Sequence, residues 1–252
     1  MTEQDGFWPD GARLAVSVSM QFEAGGQPVS GAGGLITEPV LPGFPDLGQN
    51  SFYEYGAREG VPRLLDLLDK HKITMTSFMI GDAVRRHPGV AAEIVRRGHE
   101  AGAHGRSWQR QYQLPRPEER EWIADSMQAI EDATGTRPVG YNNYWIRPGV
   151  NTLEILAELG FIYHIDDLSA DEPFLQMISG QPFATVPYSV HLNDLASPDR
   201  PMGSRTPRDR RLGRSRPRTG QRAARPQCLR KEGRHHAKPS PGIHCGTAAP
   251  LR

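Results

Sequence analysis

The charge balance of this chain reverses near residue 199, and the reversal limits how much of it can fold. Residues 1–199 carry 15 Lys+Arg and 27 Asp+Glu, a formal charge of −12. Residues 200–252 carry 15 Lys+Arg and 2 Asp+Glu, a charge of +13, so the overall +1 is the near-cancellation of two unlike parts. The basic part has no Phe, Tyr or Trp, and its large apolar residues are Met202, Leu212, Leu229, Ile243 and Leu251. Seven prolines and six glycines there interrupt any regular period. Such a segment cannot bury enough apolar surface to offset the entropy of ordering its backbone. The composition predicts one folded domain in the first 200 residues and a disordered Arg/Pro/Gly-rich tail over 197–252.

About 200 residues of ordinary composition suffice for one domain with a substantial core. No apolar run of signal-peptide type follows Met1, and no stretch of eighteen apolar residues occurs. The expectation is a cytoplasmic protein without a membrane partner. Both cysteines, Cys228 and Cys245, fall in the basic part, so the domain has no disulfide to make.

Strand and helix patterns alternate along the acidic part. Residues 13–20 alternate apolar and small polar side chains, as a half-buried strand does. Residues 24–51 are rich in Gly and Pro and read as a long loop. A helix is expected over 56–71, with Val61, Leu64, Leu65, Leu67 and Leu68 as its apolar stripe. A strand follows at 73–80, a helix broken at Pro88 over 82–97, and a short strand at 99–104. Further on, the pattern gives a helix over 118–134, a strand at 138–141, a helix over 152–159, a strand at 161–166 and a last strand at 183–190. This is the signature of βαβ units on a parallel sheet. No glycine-rich phosphate loop follows the first strand, which favours a barrel over a doubly wound sheet.

In an α/β barrel, function collects where the strands end. Those ends here carry Gln21, Phe22 and Glu23; then His104, Arg106 and Trp108; then Tyr141 to Trp145; then His164, Asp166 and Asp167; and finally Asn193 and Asp194. Each group also has a plain structural reading. The glutamate can be a solvated loop residue, the histidines hydrogen-bonders within the fold, the tryptophans packing residues, and the aspartate pair a cap. Their shared rim is what favours a functional reading.

With these stretches in view, residues 13–195 resemble the NodB-like polysaccharide deacetylases, most of all the branch that includes metal-independent allantoinases. The resemblance is carried in order by FEAGG (22–26), YGAREGVPRLLDLLDKH (55–71), IVRRGHEAGAHG (94–105), IEDATGTRPVGYNNYW (130–145), LEILAELGFIYHIDD (153–167) and VPYSVHLND (186–194). It implies an α/β fold, a distorted barrel of seven strands. It also implies hydrolysis of non-peptide carbon–nitrogen bonds in amides or cyclic ureides.

The departures from the family pattern bear on chemistry. Metal-dependent members carry T-F-D-D-G after the first strand, with a base and then a metal ligand. The matching positions here are Glu23 for the base and Ala24 for the ligand. Their H-[ST]-x-x-H motif supplies two metal histidines, whereas this chain has His104-Gly105-Arg106-Ser107-Trp108. One of three ligands cannot hold a catalytic zinc. No metal and no other cofactor is expected. Glu23 is then expected to act as general base, with His104, Arg106 or Asn143 steadying the oxyanion. Glu23 and His104 form the expected catalytic centre, lined by Arg106, Trp108, Asn143, Tyr144, Trp145, Asp166 and Asp167. The family's R-x-P-Y motif is replaced by Asn142-Asn143-Tyr144-Trp145, so the arginine that would position the base is missing, and Arg147 lies nearby in sequence.

The resemblance stops near residues 194–196, giving an expected domain of 13–196 that is incomplete at its C-terminal end. Three readings of the tail stand side by side: an out-of-frame translation of a GC-rich gene, a genuine polyanion-binding extension, or a solubilising one. The first accounts for both the lost barrel end and the abrupt change of composition. The expected partner is a small-molecule or saccharide amide substrate, with self-association into a homo-oligomer as in relatives. The alternative function is a non-enzymatic remnant whose tail binds nucleic acid or another polyanion.

Overall fold

The computed structural model describes residues 14–32 and 40–193, together with Trp8, Ala12 and Glu38. Expectations for the tail, including its disorder and its reading frame, lie outside the described residues, as does Asp194. In chain order the elements are β1 (Ser19–Phe22), α1 (Leu47–Tyr55), a π turn (Gly56–Gly60), α2 (Val61–His71), β2 (Thr76–Met79), α3 (Gly81–Arg86), α4 (Pro88–Arg96) and β3 (Glu100–Ala103). They continue with α5 (Arg116–Thr134), β4 (Gly140–Tyr141), α6 (Thr152–Glu158), β5 (Tyr163–His164), β6 (Phe174–Ile178) and β7 (Gln181–Thr185). All lie in one compact unit.

The sheet runs β1-β2-β3-β4-β5-β7-β6. Every pairing from β1 through β7 is parallel, and only β6 runs antiparallel, against β7. Helical crossovers link the first five strands, as parallel neighbours require. The core follows the apolar stripes except at Leu67 of α2, which is exposed, while Leu64 is partly buried. Val61, Leu65 and Leu68 of α2 are buried, as are Trp122, Ile123, Met127 and Ile130 of α5, against Phe22, Met79, Ala103 and Tyr141 of the strands. Pro88 ends one helix and opens the next, because it can begin a helix but not continue one.

Three elements depart from the sequence expectations. The first strand occupies 19–22 rather than 13–20; of the alternating apolar residues, Leu14 and Val16 are exposed, and Val18 and Met20 pack against the core. The long loop ends at Asp46, whose side chain caps α1 by accepting from Gln49 N at 2.9 Å. This helix carries no apolar stripe, and its one fully buried residue is Gln49. Hydrophobic periodicity therefore has nothing to detect there. Its chain continues through the π turn into α2, so the helix expected to begin at Gly56 is the second half of a longer one.

The third departure is a hairpin. The last strand is Gln181–Thr185, not 183–190, and it pairs with β6, which was not expected. The connecting residues Ser179 and Gly180 both have positive φ (49° and 78°), the geometry of a tight hairpin turn. The outer edge of β7 is thus covered by β6. Among the described residues the unpaired edges belong to β1 and β6.

Candidate active site

Strands β1, β3, β4 and β5 end on one rim of the sheet, with β2 between β1 and β3, and the residues just past those ends meet. Two glycines allow the approach. A Cβ on Gly26 would lie 2.5 Å from Ile80 Cγ2, so the turn that follows Glu23 can pack here only without a side chain. Gly105, directly after His104, has φ +78° and no room for a Cβ beside Trp122 Nε1.

The central contact joins β1 to β3: His104 Nε2 lies 3.1 Å from Glu23 Oε1. His104 is buried and its Nδ1 is 2.7 Å from the carbonyl oxygen of Asn142. A carbonyl only accepts, so Nδ1 carries a proton. The Nε2–carboxyl contact then needs one further shared proton, giving either imidazolium with carboxylate or neutral imidazole with carboxylic acid. Burial opposes a charged imidazole, but the hydrogen bond and charge of Glu23, the Asn142 carbonyl and the charge of Asp166 together outweigh it. The His104 pKa is raised above 6.5 as a result. Imidazolium paired with carboxylate is therefore the favoured form at mildly acid pH.

Beneath this pair lies a buried amide network. The Asp166 side chain is wholly enclosed. Its Oδ1 accepts from Asn142 Nδ2 and from Asn143 N, both at 2.7 Å, and its Oδ2 accepts from Asn143 Nδ2. Gln21 Nε2 donates to Asn142 Oδ1 at 3.3 Å. Gln111 Nε2 donates to Asn143 Oδ1, while Gln111 Oε1 accepts from the Tyr141 hydroxyl at 3.0 Å. Glu119, also buried, accepts from Thr152 Oγ1; burial raises its pKa, and bonds from Thr152 and Gln111 oppose the rise. A buried polar network is tolerable only when its members are satisfied, and these are.

An aromatic wall borders the Glu23 side. Trp108 packs edge-on against Tyr53 of α1 (centroids 5.1 Å apart) and, tilted, against Tyr144 (5.9 Å), which in turn meets Trp145 at 6.2 Å. The Trp108 backbone N–H donates to Gly26 O at 2.9 Å, tying this wall to the turn after Glu23. Trp145 is 64 % exposed and has φ +57°, and Ile146 follows at +55°. Two consecutive non-glycine residues in the left-handed region are a strained turn, and the β-branched Ile146 is the more costly of them.

The structure brings Glu23, His104, Asn143 and Asp166 together, with Trp108, Tyr144 and Trp145 alongside. Asp166 lies below the site rather than lining it. Arg106 turns away: its Nε donates to Asp125 at 3.0 Å and its guanidinium stacks 5.2 Å over Trp122. Asp167 closes its own turn by accepting from Ser169 N and Oγ, and these bonds lower its pKa. His164 Nδ1 accepts from Asp166 N at 3.3 Å, and Nε2 contacts Thr185 Oγ1 at 3.1 Å. Arg147 lines a separate open groove of about 480 Å³ with Tyr112, Pro148, Gly149 and Val150. Sequence reasoning missed Tyr53, which falls between the expected loop (24–51) and the expected helix (56–71), and Gln111, whose only signal is tertiary.

The residues present do not fit the divalent metal of other family members. Ala24 has no ligand atom, Trp108 stands where a second histidine would, and both nitrogens of His104 are occupied. Among the described residues no three His, Cys, Asp or Glu side chains gather as a ligand set.

The family model described as polysaccharide deacetylase matches residues 51–163. A Schizosaccharomyces pombe protein named as a polysaccharide deacetylase is 30% identical over 213 residues, covering 75% of this chain and 67% of its own. The chain belongs to the polysaccharide deacetylase family. Its members are hydrolases of carbon–nitrogen bonds other than peptide bonds. A crystal structure of a polysaccharide deacetylase of this type from Pseudomonas aeruginosa PAO1 aligns with TM-score 0.66 and 31% identity, covering 75% of this chain and 66% of its own. An allantoinase structure aligns with TM-score 0.64 and 31% identity, covering 72% and 64%. The chain spans about two thirds of the length of each of these three relatives. The barrel-type α/β fold expected of a deacetylase relative is the one found. The comparisons do not favour a polyanion-binding remnant. No helix among the described residues is long and apolar enough to cross a membrane.

Proposed function

We propose that the site hydrolyses an amide or cyclic ureide without a metal, with Glu23 as general base and His104 as its buried partner. The observation that carries this reading is the 3.1 Å contact of His104 Nε2 with Glu23 Oε1, made while Nδ1 is held by the Asn142 carbonyl. Glu23 is partly exposed, so substrate and water can reach its carboxylate; His104 is enclosed and works through it. In the reaction, the carboxylate takes a proton from water as the water oxygen bonds to the carbonyl carbon. The C–N bond then breaks, and the proton returns to the departing nitrogen. The imidazolium beside Glu23 offsets the charge that develops on the carbonyl oxygen. Trp108, Tyr144 and Trp145 offer ring faces for the substrate body, a saccharide amide or a small ureide.

The domain limits 13–196 belong to the same proposal, as do reduced activity in this chain, self-association and a cytoplasmic location. Light scattering and cell fractionation test the last two. The decisive experiment is turnover of N-acetylated saccharides and allantoin by wild type and Glu23→Gln, each with a chelator and with added zinc or cobalt. The expected result is chelator-resistant turnover lost in Glu23→Gln. Activity that appears only with added metal would overturn the metal-free reading.

A further inference from the structure

The peptide group between Asn142 and Asn143 is hydrogen-bonded at both ends by groups of the site. Its carbonyl, Asn142 O, accepts from His104 Nδ1 at 2.7 Å. Its N–H, Asn143 N, donates to Asp166 Oδ1 at the same distance. One peptide plane thus stands between a wholly buried carboxylate and a buried imidazole, and the imidazole in turn meets Glu23 at 3.1 Å.

We infer that Asp166 is a positioning residue that acts on Glu23 through this peptide group and His104. The inference rests on Glu23 being the base. A carboxylate that accepts from the N–H of a peptide polarises it and makes the carbonyl oxygen a stronger acceptor. The stronger acceptor holds Nδ1–H more firmly, enriches the ring in electron density and favours a proton on Nε2 toward Glu23. The two bonds also fix the peptide plane, and with it the plane of the imidazole. No proton leaves Asp166, and no bond in the peptide changes.

The surroundings of Asp166 suit this role. Its remaining donors, Asn142 Nδ2 and Asn143 Nδ2, come from the side chains that flank the same peptide group, so the carboxylate grips that group from three sides. His164 does not compete, although its Nδ1 lies 3.6 Å from Asp166 Oδ2. That nitrogen accepts from Asp166 N and so carries no proton to offer.

The test reads the His104 Nδ1–H directly by proton NMR with selective nitrogen-15 labelling of histidine, a measurement that needs no substrate. Asp166→Asn should move the resonance upfield and speed its exchange with solvent about tenfold, while the exposed control Asp132→Asn leaves both unchanged. Asn143 has φ −81°, within reach of proline, so Asn143→Pro removes the peptide N–H with little backbone strain. Asn143→Pro should reproduce the change seen in Asp166→Asn, and Asn143→Ala, which keeps the N–H, should show much less. This pair carries the test if Asp166→Asn does not melt cooperatively. In turnover assays Asp166→Asn should lower kcat about 10- to 100-fold with KM little changed. An Nδ1–H resonance unaltered in Asp166→Asn and in Asn143→Pro would overturn the relay. The expected NMR changes in a protein with no amide turnover would uphold the relay and overturn the hydrolase reading instead.

Discussion

His104 Nε2 meets Glu23 Oε1 at 3.1 Å across 81 residues of chain, while the other ring nitrogen holds the backbone of Asn142. The pair is therefore oriented from one side only: the imidazole is fixed in the core and the carboxylate looks out. His104→Phe should leave the fold intact but lower kcat by about 10²- to 10³-fold, whereas Glu23→Gln should abolish turnover. Steady-state kinetics with matched circular dichroism check both. A His104→Phe enzyme with wild-type kcat would remove the histidine from the mechanism.

The raised pKa of His104 has a consequence for stability. A group whose folded pKa lies above its unfolded value stabilises the fold fully below the unfolded value, here 6.5, and loses that contribution as pH rises through the folded value. The unfolding free-energy difference between wild type and His104→Asn should therefore shrink as pH rises above about 6.5. His87 and His99 have pKa values lowered by burial, with Glu54 and Asp69 opposing, and so act in the reverse sense. Taking the difference between two chains that both contain them removes their part. Urea denaturation from pH 5 to 9 gives the curve, and a constant difference would contradict the assignment.

Trp108 joins the rings of Tyr53 and Tyr144 and sits beside the turn that follows Glu23. Its indole N–H is buried without a hydrogen-bond partner, so Trp108→Phe sacrifices no hydrogen bond. Trp108→Ala should cost about 3–5 kcal/mol if the wall cannot close over the gap, and should raise KM more than it lowers kcat. Trp108→Phe should recover most of both. Similar kinetics for the two variants would show that the ring does not contact substrate.

Ile146 lies at φ +55°, a conformation that glycine adopts without penalty. Ile146→Gly should relieve strain of about 1–3 kcal/mol, less what the glycine adds to unfolded-chain entropy. The net expectation is a thermal midpoint equal to or above that of wild type, combined with weaker substrate binding as Trp145 loses its fixed display. A large fall in the midpoint would mean that the turn is not strained.

Much of the fold is legible in one dimension. The stripes Val61–Leu65–Leu68 and Ile123–Met127–Ile130 mark two helices because burial of one face imposes a period. What escapes is any element held by polar contacts. Helix α1 buries Gln49, and its Glu54 pairs with Arg58, Arg86 and His87, contacts that no periodicity reports. Strand β6 buries none of its residues fully and is recognisable only once β7 is beside it.

The site divides the same way. The sequence alone determines the βαβ order, the position of Glu23 and His104 just past the ends of two strands, and the presence at Ala24 and Trp108 of side chains that do not ligate metal. Those features follow from residue type and strand alternation, which are local. Only the tertiary structure decides that Asp166 lies under the site, that Arg106 is spent on Asp125, and that Tyr53 joins the wall. It also decides that one peptide group links Asp166 to His104. Side-chain direction at a strand end depends on which partners the packed sheet brings within about 3 Å, and hydrogen-bond partners 23 to 121 residues apart leave no mark on the chain that carries them.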